Sequence, residues 1–84
     1  MQGLFFININ RMYMTIQKIL EQKKKFVPQC GYNLVGVDHY EIPGSDEALF
    51  LIAHTDSLEE ARRLRAQYDG NEWITAYIYT PDTA

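Results

Sequence analysis

Residues 55–79 read TDSLEEARRLRAQYDGNEWITAYIY, and this stretch decides the fold of the chain. Ser57 and Glu60 have the spacing of a capping box, in which each side chain satisfies an amide at the helix start. Asp56 and Glu59 fit the same template one residue earlier, so the pattern leaves the first helical residue open by one. The apolar residues that follow recur at helical spacing, at Leu58, Ala61, Leu64 and Tyr68. Gly70 suits the left-handed conformation that follows a helix, so the stretch predicts a capped helix that ends before it.

Residues 73–79 are rich in aromatic and β-branched side chains and predict a strand. Because side chains alternate along a strand, one face of it carries Ile74, Ala76 and Ile78. The other face carries Trp73, Thr75, Tyr77 and Tyr79. Both faces are apolar, which indicates a sheet that is covered on two sides or that exposes one apolar side. Pro81 cannot donate to a strand ladder and marks the end of this strand.

The length and net charge of the chain limit its possible functions. The chain has 84 residues, which is typical of one domain spanning residues 1–84, and a domain this short buries only about 60% of its unfolded surface. The net charge of -3 argues against general attraction to nucleic acid or to an anionic membrane. The longest apolar run, residues 4–7, is too short to span a bilayer. Cys30 is the single cysteine, so no internal disulfide can form, and a cytoplasmic location is expected.

The sequence LFFINI at residues 4–9 predicts a first strand. A signal peptide is not expected, because the apolar run has no basic segment before it and no small-residue cleavage site after it. The alternative is that Met12 or Met14 is the true start and that residues 1–10 form a leader segment outside the fold.

A first helix is predicted from Asn10, a candidate N-cap, to about Lys25. Its apolar residues recur near one face, at Met12, Ile16, Ile19, Leu20 and Val27. Three lysines at residues 23–25 suit the negative end of the helix dipole, and they are interpreted as a solvated helix end rather than an anion site. Pro28 prevents continuation of the helix.

Residues 34–40 and 48–54 predict a β-hairpin, with Pro43 and Gly44 at the centre of a type II turn. This turn aligns four apolar residues as cross-strand partners on one core face: Val37 with Phe50, and Val35 with Ile52. The opposite face then carries Leu34, Gly36, Asp38, Tyr40, Leu49, Leu51 and Ala53.

The order strand, helix, strand, strand, helix, strand predicts an α+β fold of the ferredoxin-like βαββαβ type. Two right-handed crossovers would place both helices on the same face of a four-stranded antiparallel sheet. The proposed core faces of all four strands are consistent with this two-layer sandwich.

The side chains that most often carry chemistry do not form a predicted site. In the predicted hairpin, His39 and His54 lie more than about 10 Å apart along the strands. Alternation places Asp38 on the opposite face from His39. We therefore expect no metal site, no cofactor and no catalytic pair, since proton transfer requires hydrogen-bond contact. Cys30 has no activating neighbour in sequence and is expected to be a small residue that is at least half buried.

The helix-free face of the predicted sheet is strongly apolar. Its predicted members are Phe6, Tyr40, Leu49, Leu51, Trp73, Tyr77 and Tyr79. A monomer rarely exposes such an area to water, and tryptophan and tyrosine are common anchors of protein interfaces. The sequence therefore predicts a non-catalytic interaction module that forms a homodimer or binds another protein through this face.

Two alternatives remain open for the same face. LFFINI resembles the first-strand motif of RNA recognition motif domains, and DSLEEARRL with YDGNEW is similar to their second helix and following turn. In that family, aromatic residues on the first and third strands stack on bases, which the resemblance would assign to Phe6 here. Where the third strand of the family carries basic, glycine and aromatic residues, residues 46–51 read DEALFL. The second alternative is a small-molecule enzyme with its site at the sheet face, although no set of residues specifies a reaction.

Overall fold

The computed structural model describes residues 16–83, which form an α+β fold with one antiparallel sheet. Helix α1 is described over residues 16–25. The remaining elements are β1 (Tyr32–Asp38), β2 (Leu49–Thr55), α2 (Leu58–Ala66) and β3 (Ile74–Tyr79). The strand order across the sheet is β2-β1-β3, and β1 is antiparallel to both neighbours.

The predicted ferredoxin-like sheet of four strands is wrong, because the sheet of the described residues has three strands with β1 at its centre. Leu34 and Val35 are consecutive residues that point to opposite faces of β1, and both are 0% exposed. A strand that is buried on both faces favours the central position, with a neighbour at each edge. The predicted first strand at residues 4–9 lies outside the described part of the chain.

The predicted register of the hairpin is also wrong by one residue. Val37 pairs with Leu49 and Val35 pairs with Leu51. The register shifts between Leu34 and Val35, so β2 contains one extra residue at this point. The connection between the strands is a series of turns with backbone hydrogen bonds rather than one tight turn. Gly44 in this connection has a φ of 90°, as the predicted turn requires, but the additional turns shift every partner on β1.

Helix α2 begins at Leu58, as the sequence predicts, but it ends at Ala66, so Tyr68 lies in the following turn rather than in the helix. The Ser57 side chain is the N-cap and accepts a hydrogen bond from the Glu60 amide at 3.2 Å. The reciprocal half of the capping box is absent, because the Ser57 amide donates to Thr55 Oγ1 instead. The Glu60 carboxylate binds Arg63. Gly70, with a φ of 79°, lies in the turn after the helix.

One face of the sheet packs against α2, which contacts all three strands. Leu34 and Ala76 are buried on this face, and Ala61 of α2 is fully buried. Gly36 has no side chain here, and the ring of Phe50 occupies the space: an added Cβ would lie 2.4 Å from Phe50 Cζ. The core of this layer therefore depends on one aromatic ring that lies across the central strand.

The other face packs against the segment that follows α1, so the prediction that both helices lie on one face is wrong. Phe26 and Val27 contact a buried cluster on this face, formed by Val35, Ala48, Leu49 and Tyr79. Two side-chain amides hold the segment in place. Asn33 Nδ2 donates to Phe26 O at 2.9 Å, and Gln22 Nε2 donates to Gly44 O at 3.2 Å.

The Gln22 contact is incomplete. Gln22 Nε2 also donates to Ser45 O at 2.5 Å, which places the amide group against the loop before β2. Gln22 Oε1 and Ser45 Oγ are buried without a hydrogen-bond partner among the described residues. The junction between α1 and this loop therefore leaves a buried acceptor and a buried hydroxyl unsatisfied.

Candidate interaction surface

The structure separates the predicted surface residues into two groups. Four remain in contact with solvent: Tyr40 (70% exposed), Leu51 (48%), Trp73 (50%) and Tyr77 (47%). These four are called the apolar sheet surface below. Leu49 and Tyr79 are buried beneath Phe26 and Val27 and belong to the core of the single chain. Phe6 lies outside the described residues.

Leu51 and Tyr77 lie on either side of the central strand. Both are register partners of Val35, one on β2 and one on β3, so all three point to the face opposite α2. Two strand spacings separate Leu51 from Tyr77, which is about 10 Å. Val35 between them is covered by the segment after α1. Leu51 and Tyr77 therefore lie on the two edge strands, on either side of a covered central strand.

Trp73 is held at the start of β3 by several hydrogen bonds. Its amide donates to Asn71 Oδ1 at 2.8 Å, and its carbonyl accepts from the His39 amide at 2.8 Å. Its ring stacks on Tyr40, with 4.0 Å between ring centroids and 24° between planes. His39 Nε2 lies 2.6 Å from Thr75 Oγ1 and connects the same two segments. These contacts fix an aromatic pair at one end of the edge strand.

A row of side chains follows β3 from this aromatic pair. Trp73, Thr75 and Tyr77 share one face because side chains alternate along a strand. Two of these three are aromatic and about half exposed. This arrangement, with Tyr40 beside Trp73, is typical of the aromatic anchors of a protein interface.

A cleft of 610 Å³ lies beside this row, between α1 and the sheet. Ile19, Val37 and Tyr77 are among its apolar walls, and Lys23 and Glu41 contribute charged side chains. Its volume is in the range of small-molecule sites. Among the described residues, however, no group of three metal-binding side chains occurs.

The two histidines have separate partners. His39 lies against Thr75, whereas His54 Nδ1 is 2.6 Å from Asn33 Oδ1 and its Nε2 is 3.7 Å from Asp56 Oδ1. The structure does not bring the two histidines to a common partner. Cys30 is exposed, contrary to the prediction that it is at least half buried.

Three ionisable groups among the described residues have a shifted pKa, namely Tyr79, Glu60 and Arg63, and none of them lies at a reactive site. Burial raises the pKa of the Tyr79 hydroxyl, and Tyr77 adds a smaller effect in the same direction. The hydrogen bond from Arg63 lowers the pKa of Glu60 on the surface of α2. These shifts follow from packing and from a surface ion pair rather than from a prepared acid and base.

Three exposed apolar residues were not predicted at the surface: Ile16, Leu20 and Ile42. Helical spacing placed Ile16 and Leu20 in the core stripe of the first helix, yet each is more than half exposed. A set of apolar residues at helical spacing covers a wide face of the helix. The spacing alone does not specify which part of that face contacts the sheet. Ile42 lies in the loop between β1 and β2, where no periodicity applies.

No protein-family model, curated protein or solved structure matches the chain. Within residues 16–83, no helix is both long enough and apolar enough to cross a membrane. A functional assignment for this chain therefore depends on its own geometry.

Proposed function

We propose that this protein is a non-catalytic interaction module that self-associates through the apolar sheet surface. The observation that carries the proposal is the exposure of three aromatic residues and one leucine in a folded domain, all on or beside its two edge strands. Exposed apolar patches on a soluble domain often mark interaction sites. A two-fold dimer would cover them on both copies with one contact.

The exposed area is sufficient for the centre of an interface but not for all of it. An aromatic side chain contributes about 200 Å², so Tyr40, Trp73 and Tyr77 together present roughly 300 Å² per chain at their observed exposures. A stable interface buries about 800 Å² on each partner. The aromatic residues would therefore form the central anchor, and neighbouring side chains and backbone would form the rim.

Light scattering coupled to size-exclusion chromatography tests the proposal. The chain mass is 9.8 kDa, and we expect twice this mass over a range of protein concentrations. Tyr77→Asp and Leu51→Asp form a matched pair, because the two residues are 47% and 48% exposed and both pair with Val35. We expect at least one of them to yield a folded monomer, since a charge buried without a partner is costly.

Arg62→Ala is the control, because Arg62 is exposed on α2 and lies on the other side of the sheet. It should leave the mass unchanged, and far-UV circular dichroism should show the same helical signal in all variants. A wild-type chain that stays monomeric at high concentration would refute self-association. A dimer that survives both aspartate substitutions would refute the choice of surface.

Single-stranded nucleic acid is the alternative occupant, and the same protein sample tests it. Trp73 is the only tryptophan of the chain, and its ring is half exposed beside Tyr40. Base stacking on this ring should quench its fluorescence when short oligonucleotides are added at low salt. Saturable quenching by a monomeric protein would favour nucleic-acid binding over self-association.

A further inference from the structure

The hydrogen bonding of β3 shows which of its backbone groups point away from the sheet. The His39 amide donates to Trp73 O, so these two residues form a hydrogen-bonded pair of the antiparallel ladder. Such pairs alternate with non-hydrogen-bonded pairs along two strands. The odd-numbered residues of β3 therefore bond to β1, and the even-numbered residues direct their N–H and C=O groups outward. The bond from the Asp38 amide to Ala48 O agrees, because it directs the even-numbered residues of β1 toward β2.

The two ends of this outward row are capped by side chains of the same chain. Asn71 Oδ1 accepts from the Ile74 amide at 3.0 Å, and Thr83 Oγ1 accepts from the Thr80 amide at 2.9 Å. Between them, the amides and carbonyls of Ala76 and Ile78 point away from β1, which is the one strand that pairs with β3 within residues 16–83. These outward N–H and C=O groups of Ala76 and Ile78 are therefore symmetric about Tyr77.

The sequence of β3 lacks the features that prevent another strand from pairing at this edge. Proteins protect edge strands with charged residues, proline or bulges. The strand reads ITAYIY and contains none of these, and its register with β1 is regular. The other edge strand, β2, carries one extra residue opposite Leu34 and Val35 of β1, and such a bulge twists an edge away from a partner. Of the two edges, β3 is the better template.

We infer that a second copy of the chain pairs with β3 in antiparallel orientation, with the two-fold axis at Tyr77. This inference rests on the proposed self-association and narrows its contact to the β3 edge, where Tyr77 lies, so that Leu51 on the opposite edge strand lies outside it. Ala76 would exchange two hydrogen bonds with the partner subunit's Ile78, and Ile78 would do the same with the partner subunit's Ala76. The two three-stranded sheets would then form one continuous sheet of six strands.

A second copy fits this edge better than an unrelated extended peptide for two reasons. An isologous contact requires a surface that is complementary to itself. The outward donors and acceptors of β3, which no other strand of residues 16–83 pairs with, are arranged evenly about Tyr77 and meet that requirement. The axis also places the two Tyr77 residues directly opposite each other as a non-hydrogen-bonded pair, with Cα atoms about 4.5 Å apart. Their half-exposed rings would cover each other on the face opposite α2.

Cysteine cross-linking tests both the edge and the register. In a Cys30→Ser background, Tyr77→Cys should form a symmetric intermolecular disulfide, because Cα atoms about 4.5 Å apart satisfy disulfide geometry. The assay is the fraction of covalent dimer on a non-reducing gel during incubation with oxidised glutathione. Paired cysteines react at an effective concentration near the millimolar range, so we expect about tenfold or more covalent dimer relative to unpaired positions.

Two matched cysteine variants in the same background serve as controls. Leu51→Cys has the same exposure and the same sheet face but lies on the other edge strand. Thr75→Cys lies on β3 and on the same face as Tyr77, two residues away. With the axis at Tyr77, four residues of strand separate the two copies of Thr75, which is about 14 Å and too far for a disulfide.

The outcomes distinguish this inference from the proposed function. A wild-type dimer that cross-links through position 77 and not through 51 or 75 supports the inference. A wild-type dimer that cross-links through 51 or 75 but not 77 overturns it and leaves self-association intact. A monomer with no cross-linking above the controls overturns both. If circular dichroism shows that Tyr77→Cys is unfolded, Ala76→Pro is the replacement variant. Proline at this position removes one outward amide, and edge strands tolerate proline. A dimer that persists in Ala76→Pro would overturn the inference.

Discussion

The separation of Leu34 from Leu51 leads to a direct test of the sheet. The sequence places both residues on one face, whereas the structure buries Leu34 completely on the α2 side and leaves Leu51 48% exposed on the other. Leu34→Ala removes fully buried atoms and leaves a cavity, which costs about 3 kcal/mol of folding free energy. Leu51→Ala removes half-exposed atoms without a cavity and should cost about 1 kcal/mol or less. A domain of this size has a total stability of about 4–13 kcal/mol, so the first change takes a large share of it.

Urea unfolding followed by far-UV circular dichroism measures both changes. With a denaturant slope of about 1–1.5 kcal/mol/M, Leu34→Ala should lower the unfolding midpoint by about 2–3 M and Leu51→Ala by less than about 1 M. Measurements at two low protein concentrations separate folding from association, because a dimer makes the midpoint concentration-dependent. Equal shifts for the two variants, or a larger shift for Leu51→Ala, would contradict the observed faces of β1 and β2.

Three further predictions concern single contacts. Gly36→Ala should destabilise the fold by roughly 1–3 kcal/mol, because its Cβ would lie 2.4 Å from Phe50 Cζ. Thermal melting should show partial recovery of stability when Phe50→Leu is added. A Gly36→Ala variant with unchanged stability would contradict the packing. Ser57→Ala should cost about 1 kcal/mol through loss of the N-cap bond to the Glu60 amide, whereas Ser57→Asp should cost little in the same assay. The hydrogen bond from Arg63 holds the pKa of Glu60 below its usual value of 4.5, so the ion pair stabilises the fold above about pH 4.5. This contribution is lost as pH falls through the lower folded-state pKa. NMR titration should show the pKa of Glu60 rising toward its usual value in Arg63→Ala, and an unchanged pKa would exclude this cause.

The part of the fold that the sequence could predict is the part that local rules control. The N-cap at Ser57, the positive φ of Gly70 and the alternation along β3 involve neighbours within a few residues. The same local alternation places Trp73, Tyr77 and Tyr79 on one face, but of these three only Trp73 and Tyr77 are exposed, because Phe26 and Val27 cover Tyr79.

The errors arise where a long-range contact decides the structure. The face of each residue on β1 depends on the number of residues in the loop turns, and one extra residue reverses it. The central position of β1 depends on burial of both Leu34 and Val35, which no local pattern specifies. Leu49 and Tyr79 are covered because Phe26 and Val27, more than twenty residues earlier in the chain, pack on them.

The unsatisfied junction between α1 and the loop before β2 has a consequence for motion. Leaving a buried donor or acceptor unpaired costs about 1–3 kcal/mol. Gln22 Oε1 and Ser45 Oγ have no partner within residues 16–83, and this weakens the contact between α1 and the loop before β2. Water would bind both atoms once α1 separates from this loop, which favours local opening at this contact. Each opening would lift Phe26 and Val27 from the sheet and add Leu49 and Tyr79 to the apolar area that a second molecule could reach.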